Sequence, residues 1–95
     1  MSETTPHMTT RSWSVDIFIG ERDGQTYARA RLHTADRTSL EATGTARLNP
    51  SDRDVPEIGE ELAASRALSA LAHLLLDTAA NDIEGFTHER PVLAE

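Results

Sequence analysis

Cysteine is absent from all 95 positions, which excludes disulfides and thiolate metal centres. Lysine is absent too, so all nine basic residues are arginine. Aromatic residues are scarce, with one Trp, one Tyr and two Phe, and any core must be built largely from small aliphatic side chains. No segment approaches the ~18 apolar residues of a membrane span. The opening residues Met1 to Arg11 lack the apolar stretch of a secretory leader. Paired histidines at metal-ligand spacing, a calcium-loop pattern and a nucleophile elbow are all missing. The resulting expectations are negative ones: no catalytic residues, no cofactor, no metal, no small-molecule substrate and no membrane partner, in a protein of the cytoplasm.

The chain has the length of one domain, and such a domain buries only ~60–65% of its unfolded surface. With 38% apolar residues, the core is thin for an unassisted monomer. The net charge is −7, unfavourable for a phosphate-binding protein unless the arginines gather on one face. A planar guanidinium suits phosphate or carboxylate, but a GC-rich codon supply is the simpler cause of arginine without lysine.

Residues 1–11 are polar and read as a disordered arm, 12–88 as one domain, and 89–95 as a loose tail. Trp13, Val15, Ile17 and Ile19 alternate with Ser14, Asp16 and Phe18, the period of a strand. Asp23-Gly24 marks a tight turn. A second strand, about Gln25 to Thr34, places Thr26, Ala28, Ala30 and Leu32 on one side and Tyr27, Arg29, Arg31 and His33 on the other. After a turn at Asp36 to Ser39, a third strand from about Leu40 to Leu48 sets Leu40, Ala42, Gly44, Ala46 and Leu48 against Glu41, Thr43, Thr45 and Arg47. Short connections imply an antiparallel meander with one buried face. Strand one supplies the bulk of that face, and the other two supply mostly alanine and glycine.

Asn49-Pro50 closes the third strand, Asp54 and Glu57 have capping-box spacing, and Pro56 suits a first helical turn. The helical pattern runs from about Pro56 to Ala80, with a stop at Ala80-Asn81-Asp82 and a short strand or extended arm from Ile83 to His88. The helix is apolar on several sides. Ala64, Ala67, Leu68, Leu71 and Leu75 form one stripe, Ile58, Leu62 and Leu76 lie roughly opposite, and Leu74 sits on a third flank. A helix on one sheet needs only one stripe. Leu62, Leu68, Leu71, Leu74, Leu75 and Leu76 are therefore candidates for a shared core and homodimer surface, the alternative cover being the C-terminal segment with Ile83, Phe86, Val92 and Leu93.

The best candidate binding surface is the sheet side bearing Tyr27, Arg29, Arg31, His33 and Arg47. It has three readings: RNA contact through phosphates and stacked bases, a protein interface, or a solvated face paired with Asp16 and Glu41. The acidic cluster Asp52, Asp54, Glu57, Glu60 and Glu61 suits the positive end of the helix dipole, and His73 and Asp77 have the spacing of a surface pair.

The run Ala46-Arg47-Leu48-Asn49-Pro50-Ser51-Asp52-Arg53-Asp54-Val55-Pro56-Glu57-Ile58-Gly59-Glu60-Glu61-Leu62 resembles the signature of a family of small actinobacterial proteins of unknown function. Trp13-Ser14-Val15-Asp16-Ile17, Ala28-Arg29-Ala30-Arg31-Leu32, Arg66-Ala67-Leu68-Ser69, Asp82-Ile83-Glu84 and Thr87-His88 extend the resemblance over most of the chain. It implies a β-β-β-α fold of the α+β class, related to the double-stranded RNA-binding domain and often dimeric. Some members are associated with hypoxia and dormancy, and one has been compared in shape with ribosome hibernation factors. The resemblance therefore implies a non-catalytic stress-response protein with the ribosome or RNA as partner; the alternative is a protein-interaction module without nucleic-acid contact. The chain departs from a standard duplex-RNA-binding domain in lacking a helical pattern for its first helix, and in its short first loop and its acidic helix start, the last two unfavourable to duplex RNA.

Overall fold

The computed structural model describes residues 7–35, 40–47 and 56–87. Three antiparallel strands, β1 (Ser14–Arg22), β2 (Gln25–His33) and β3 (Glu41–Arg47), are followed by one helix, α1 (Pro56–Thr87). The sheet order is β1-β2-β3, so the architecture is α+β, a three-stranded meander with one long helix on one face. The expected turn at Asp36 to Ser39, the Asp54 cap, Asp52 and the tail beyond Thr87 lie outside the described residues.

The first hairpin follows from two residues. Asp23 and Gly24 both adopt positive φ, 53° and 75°, as a two-residue type I′ turn requires. The turn pairs Arg22 with Gln25 and sets the register up to Ser14 opposite His33. In β2 the alternation is strict: Thr26, Ala28, Ala30 and Leu32 are buried beneath the helix, while Tyr27, Arg29 and Arg31 face outward. In β3 Ala42, Gly44 and Ala46 lie beside Ala30, Ala28 and Thr26.

Helix and sheet meet through small residues. Ala63, Ala67 and Leu71, four apart, are the buried positions of α1, and they join Ala28, Ala30, Leu32 and Ala46 in the core. Gly44 is the point of closest approach. A Cβ there would lie 2.6 Å from the Ala63 carbonyl oxygen and would strike the Ala67 backbone nitrogen. The helix backbone therefore rests on the β3 backbone. Arg66 fixes the same contact from the side, its Nη1 donating to the Thr45 carbonyl at 2.8 Å.

Two expectations are corrected. Strand one does not supply bulk to the covered core: the helix packs on β2 and β3 and scarcely touches β1. Val15, Ile17 and Ile19 are thus 41%, 38% and 43% exposed. The helix also does not stop at Asn81-Asp82 but continues through Ile83 and Gly85 to Thr87. Asn and Asp are only mild helix penalties and Gly costs ~1 kcal/mol, whereas each added residue completes a backbone hydrogen bond. At 1.5 Å per residue α1 is roughly 48 Å long, against roughly 30 Å for the longest strands. Its C-terminal turns overhang the sheet, which leaves Phe86 88% exposed.

Candidate nucleic-acid interface

Two surfaces stand out, one on each side of the sheet. The side away from the helix carries Ser14, Asp16, Phe18, Gly20 and Arg22 from β1, with Gln25, Tyr27, Arg29, Arg31 and His33 from β2. Glu41, Thr43, Thr45 and Arg47 complete it from β3. The expected residues Tyr27, Arg29, Arg31, His33 and Arg47 therefore share one open face. Phe18, Arg22 and Gln25 belong to it as well. Sequence reasoning passed over them, although the Asp23-Gly24 register alone places Phe18 opposite Arg29.

Side chains on this face are linked across strands. Glu41 receives both central arginines, Arg31 Nε at 3.4 Å and Arg29 Nε at 3.8 Å. The Arg29 guanidinium also lies over the Phe18 ring, 5.1 Å from its centroid. Gln25 Oε1 accepts from Arg47 Nη2 at 2.9 Å and from the Tyr27 hydroxyl at 3.2 Å. His33 Nε2 meets Asp16 Oδ2 at 3.0 Å, an ion pair only when the ring is protonated. These contacts are exposed and each stabilises by under about 1 kcal/mol, so they can yield to a ligand.

The charges are segregated. Four arginines face two carboxylates on the open sheet, an excess of two positive charges on a chain of net −7. The helix carries Glu57, Glu60, Glu61, Asp77, Asp82 and Glu84 against Arg66 alone. The clustering that phosphate binding requires is therefore present despite the acidic total.

On the opposite side, between β1 and the helix, runs an apolar trough. Trp13, Val15, Ile17 and Ile19 form its floor. Helical spacing puts Ala64, Leu68, Leu75 and Ala79 along its wall. Glu60 lines a pocket with Ile19 at one end, and Leu75, Ala79 and Asp82 line one with Trp13 at the other. The Trp13 end is a cavity of about 350 Å³, which Leu32 and Leu40 also line. Among the candidate leucines, Leu71 is buried, Leu74, Leu75 and Leu76 are half-buried, and Leu62 and Leu68 are exposed. Ser65 and Thr78 donate to carbonyls of their own helix, and His73 Nδ1 lies 2.9 Å from the Ser69 carbonyl. Among the described residues no group of three His, Asp or Glu is placed to hold a metal ion, and no helix is long and apolar enough to cross a membrane.

A small α+β domain with a basic, aromatic-bearing open sheet and an apolar trough that no other described residue covers is the class these observations define. The Rv2632c-like family profile matches residues 11–91, and the chain belongs to that family. It is 51% identical over 77 residues to an uncharacterized protein of Mycobacterium bovis, Mb1767, covering 81% of each chain. It is 44% identical over 79 residues to the uncharacterized protein Rv2632c of Mycobacterium tuberculosis, covering 83% of this chain and 84% of that one. The crystal structure of Rv2632c superposes with a TM-score of 0.78 at 42% identity, covering 88% of this chain and 99% of that one.

Proposed function

We propose that this protein is a non-catalytic, cytoplasmic binding protein that acts as a homodimer and presents the open face of its sheet to RNA, with the ribosome as the particle bound. The observation that carries the reading is the segregation of charge, with an arginine-rich sheet on one side and an acidic helix on the other. The stress, hypoxia and dormancy setting comes from the family resemblance, and ribosome association is its testable core. The homodimer is supported by the trough: a second copy covering Val15, Ile17, Ile19 and Leu68 would complete a core that is mostly alanine.

The test is co-sedimentation with ribosomes at low and at physiological salt. Association that persists at physiological salt and is lost in Arg29→Ala/Arg31→Ala supports the reading. Association at low salt only marks generic counterion-driven attraction, and none at either salt refutes it. The convergence of Arg29 and Arg31 on Glu41 favours the second reading, a protein-interaction module without nucleic-acid contact. A captured partner that survives nuclease treatment would establish that one.

A further inference from the structure

We infer that the open face takes unpaired bases, so that its ligand is single-stranded rather than duplex RNA. This rests on the RNA reading above and narrows it. Phe18 and Tyr27 are 48% and 45% exposed on a face otherwise made of polar side chains and one glycine. Phe18 pairs with Arg29 and Tyr27 with Gly20, so the two rings are diagonal neighbours on adjacent strands. Such neighbours stand about 7–8 Å apart, roughly twice the 3.4 Å rise of stacked bases. Two adjacent bases of a stretched strand can therefore take one ring each. Gly20 leaves the flank of Tyr27 open, since a Cβ there would meet nothing within 4 Å. Arg29 already lies on Phe18, and a base can extend that stack on the guanidinium plane.

The phosphates have their own partners. Arg22 and Arg47 stand at the end of the face beside Tyr27, and Arg29 and Arg31 run along its centre. Gln25 steadies Arg47 and Tyr27 together. A sheet of three strands presents a shallow platform, suited to splayed bases rather than to a duplex groove. Glu41 is the opposing element: it occupies two arginines and repels phosphate, so the native face is restrained.

The experiment is fluorescence anisotropy of the purified full chain with a labelled oligouridylate of about 12 nucleotides, within the 4–16 nucleotides that such platforms cover. A blunt RNA duplex of the same length is the comparison. The single strand is expected to bind more tightly than the duplex, with a salt slope no steeper than about −2.8 for four arginines. Phe18→Leu, which keeps an apolar side chain but no ring, should lose about 5- to 150-fold with the slope unchanged. Tyr27→Leu should behave likewise, and Tyr27→Phe, which keeps the ring, should lose less than Tyr27→Leu. Glu41→Gln should bind more tightly than the native chain. Duplex binding as tight as single-strand binding, with the ring variants unaffected, would overturn the single-strand inference while the RNA reading stands. Failure of both oligonucleotides at low salt, with no ribosome co-sedimentation, would overturn both. Melting curves of the ring variants that match the native protein exclude loss of fold as the cause.

Discussion

Gly44→Ala is the sharpest probe of the helix–sheet contact. The added Cβ would stand 2.6 Å from the Ala63 carbonyl oxygen and 2.7 Å from the Arg66 carbonyl carbon, where ordinary contacts are 3.4–4 Å. These are backbone atoms, so no side-chain rotation relieves the clash. The helix must lift by close to 1 Å, which loosens Ala63, Ala67 and Leu71 from Ala28, Ala30 and Ala46 together. Overpacking of this kind costs about 1–3 kcal/mol, and the rigidity of both partners places it at the upper end. Alanine returns about 0.4–1 kcal/mol by restricting the unfolded chain, so the net loss is about 2–3 kcal/mol. For a domain of this size that lowers Tm by roughly 10–20 °C and the urea midpoint by roughly 1–2 M. Far-UV circular dichroism melts at matched protein concentration measure it. Gly20→Ala is the control, because its Cβ meets nothing within 4 Å. If Gly44→Ala melts with the native protein, or no earlier than Gly20→Ala, the close backbone approach is refuted.

Three further outcomes are expected. Gly59→Ala meets the side chain of buried Thr26, Oγ1 at 2.8 Å and Cβ at 3.7 Å, rather than backbone, so a χ1 adjustment of that β-branched residue can relieve the crowding against the ~1 kcal/mol gain in helix propensity. Its Tm should stay within a few degrees of the native value, and a loss as large as that of Gly44→Ala would contradict the account. Ile17→Asp places a charge in the trough and should convert the proposed homodimer to monomer in light scattering at micromolar concentration. A native chain that is strictly monomeric there refutes the dimer. Arg29→Ala/Arg31→Ala removes two exposed pairs to Glu41, each worth under about 1 kcal/mol, and the Arg29–Phe18 contact, and should change stability by less than about 2 kcal/mol. A larger loss in urea melts would make the pairs structural.

The sheet was legible in the sequence because each strand states its period: Thr26, Ala28, Ala30 and Leu32 can be buried together only if Tyr27, Arg29 and Arg31 face away. Asp23-Gly24 then sets the register and gathers the arginines. The helix end and the cover of β1 were not legible. Asn81-Asp82 reads as a stop because these residues suit caps, but local propensity is too weak to halt a helix that can go on forming backbone bonds. An alternating apolar strand, likewise, states that one side avoids water without stating what lies on it. Val15, Ile17 and Ile19 carry the signature of core residues whether their cover is α1 or a second copy. Where α1 lies is decided by Gly44, whose missing side chain draws the helix over β3 and away from β1. Phe18 is one ring among the polar-side residues Ser14, Asp16 and Gly20, and an alternating pattern does not say whether such a ring packs on a neighbour or stays open.

The net charge of −7 and the basic sheet are reconciled by distance. The outward side of the helix stands more than about 10 Å from the open face, since the helix alone has that diameter. At physiological ionic strength the Debye length is about 8 Å, so a phosphate on the sheet senses Arg22, Arg29, Arg31 and Arg47 while the helix carboxylates are screened. At 0.01 M salt the length grows to about 30 Å, and the acidic helix is then felt across the whole domain. Counterion release strengthens binding as salt falls, whereas this repulsion weakens it. The plot of affinity against salt should therefore flatten at the low-salt end. Neutralising Glu61 and Asp77 on the helix should straighten it without altering affinity at physiological salt. That separation lets one acidic chain keep a basic face, and it would fail if the helix carboxylates stood on the same side as the arginines.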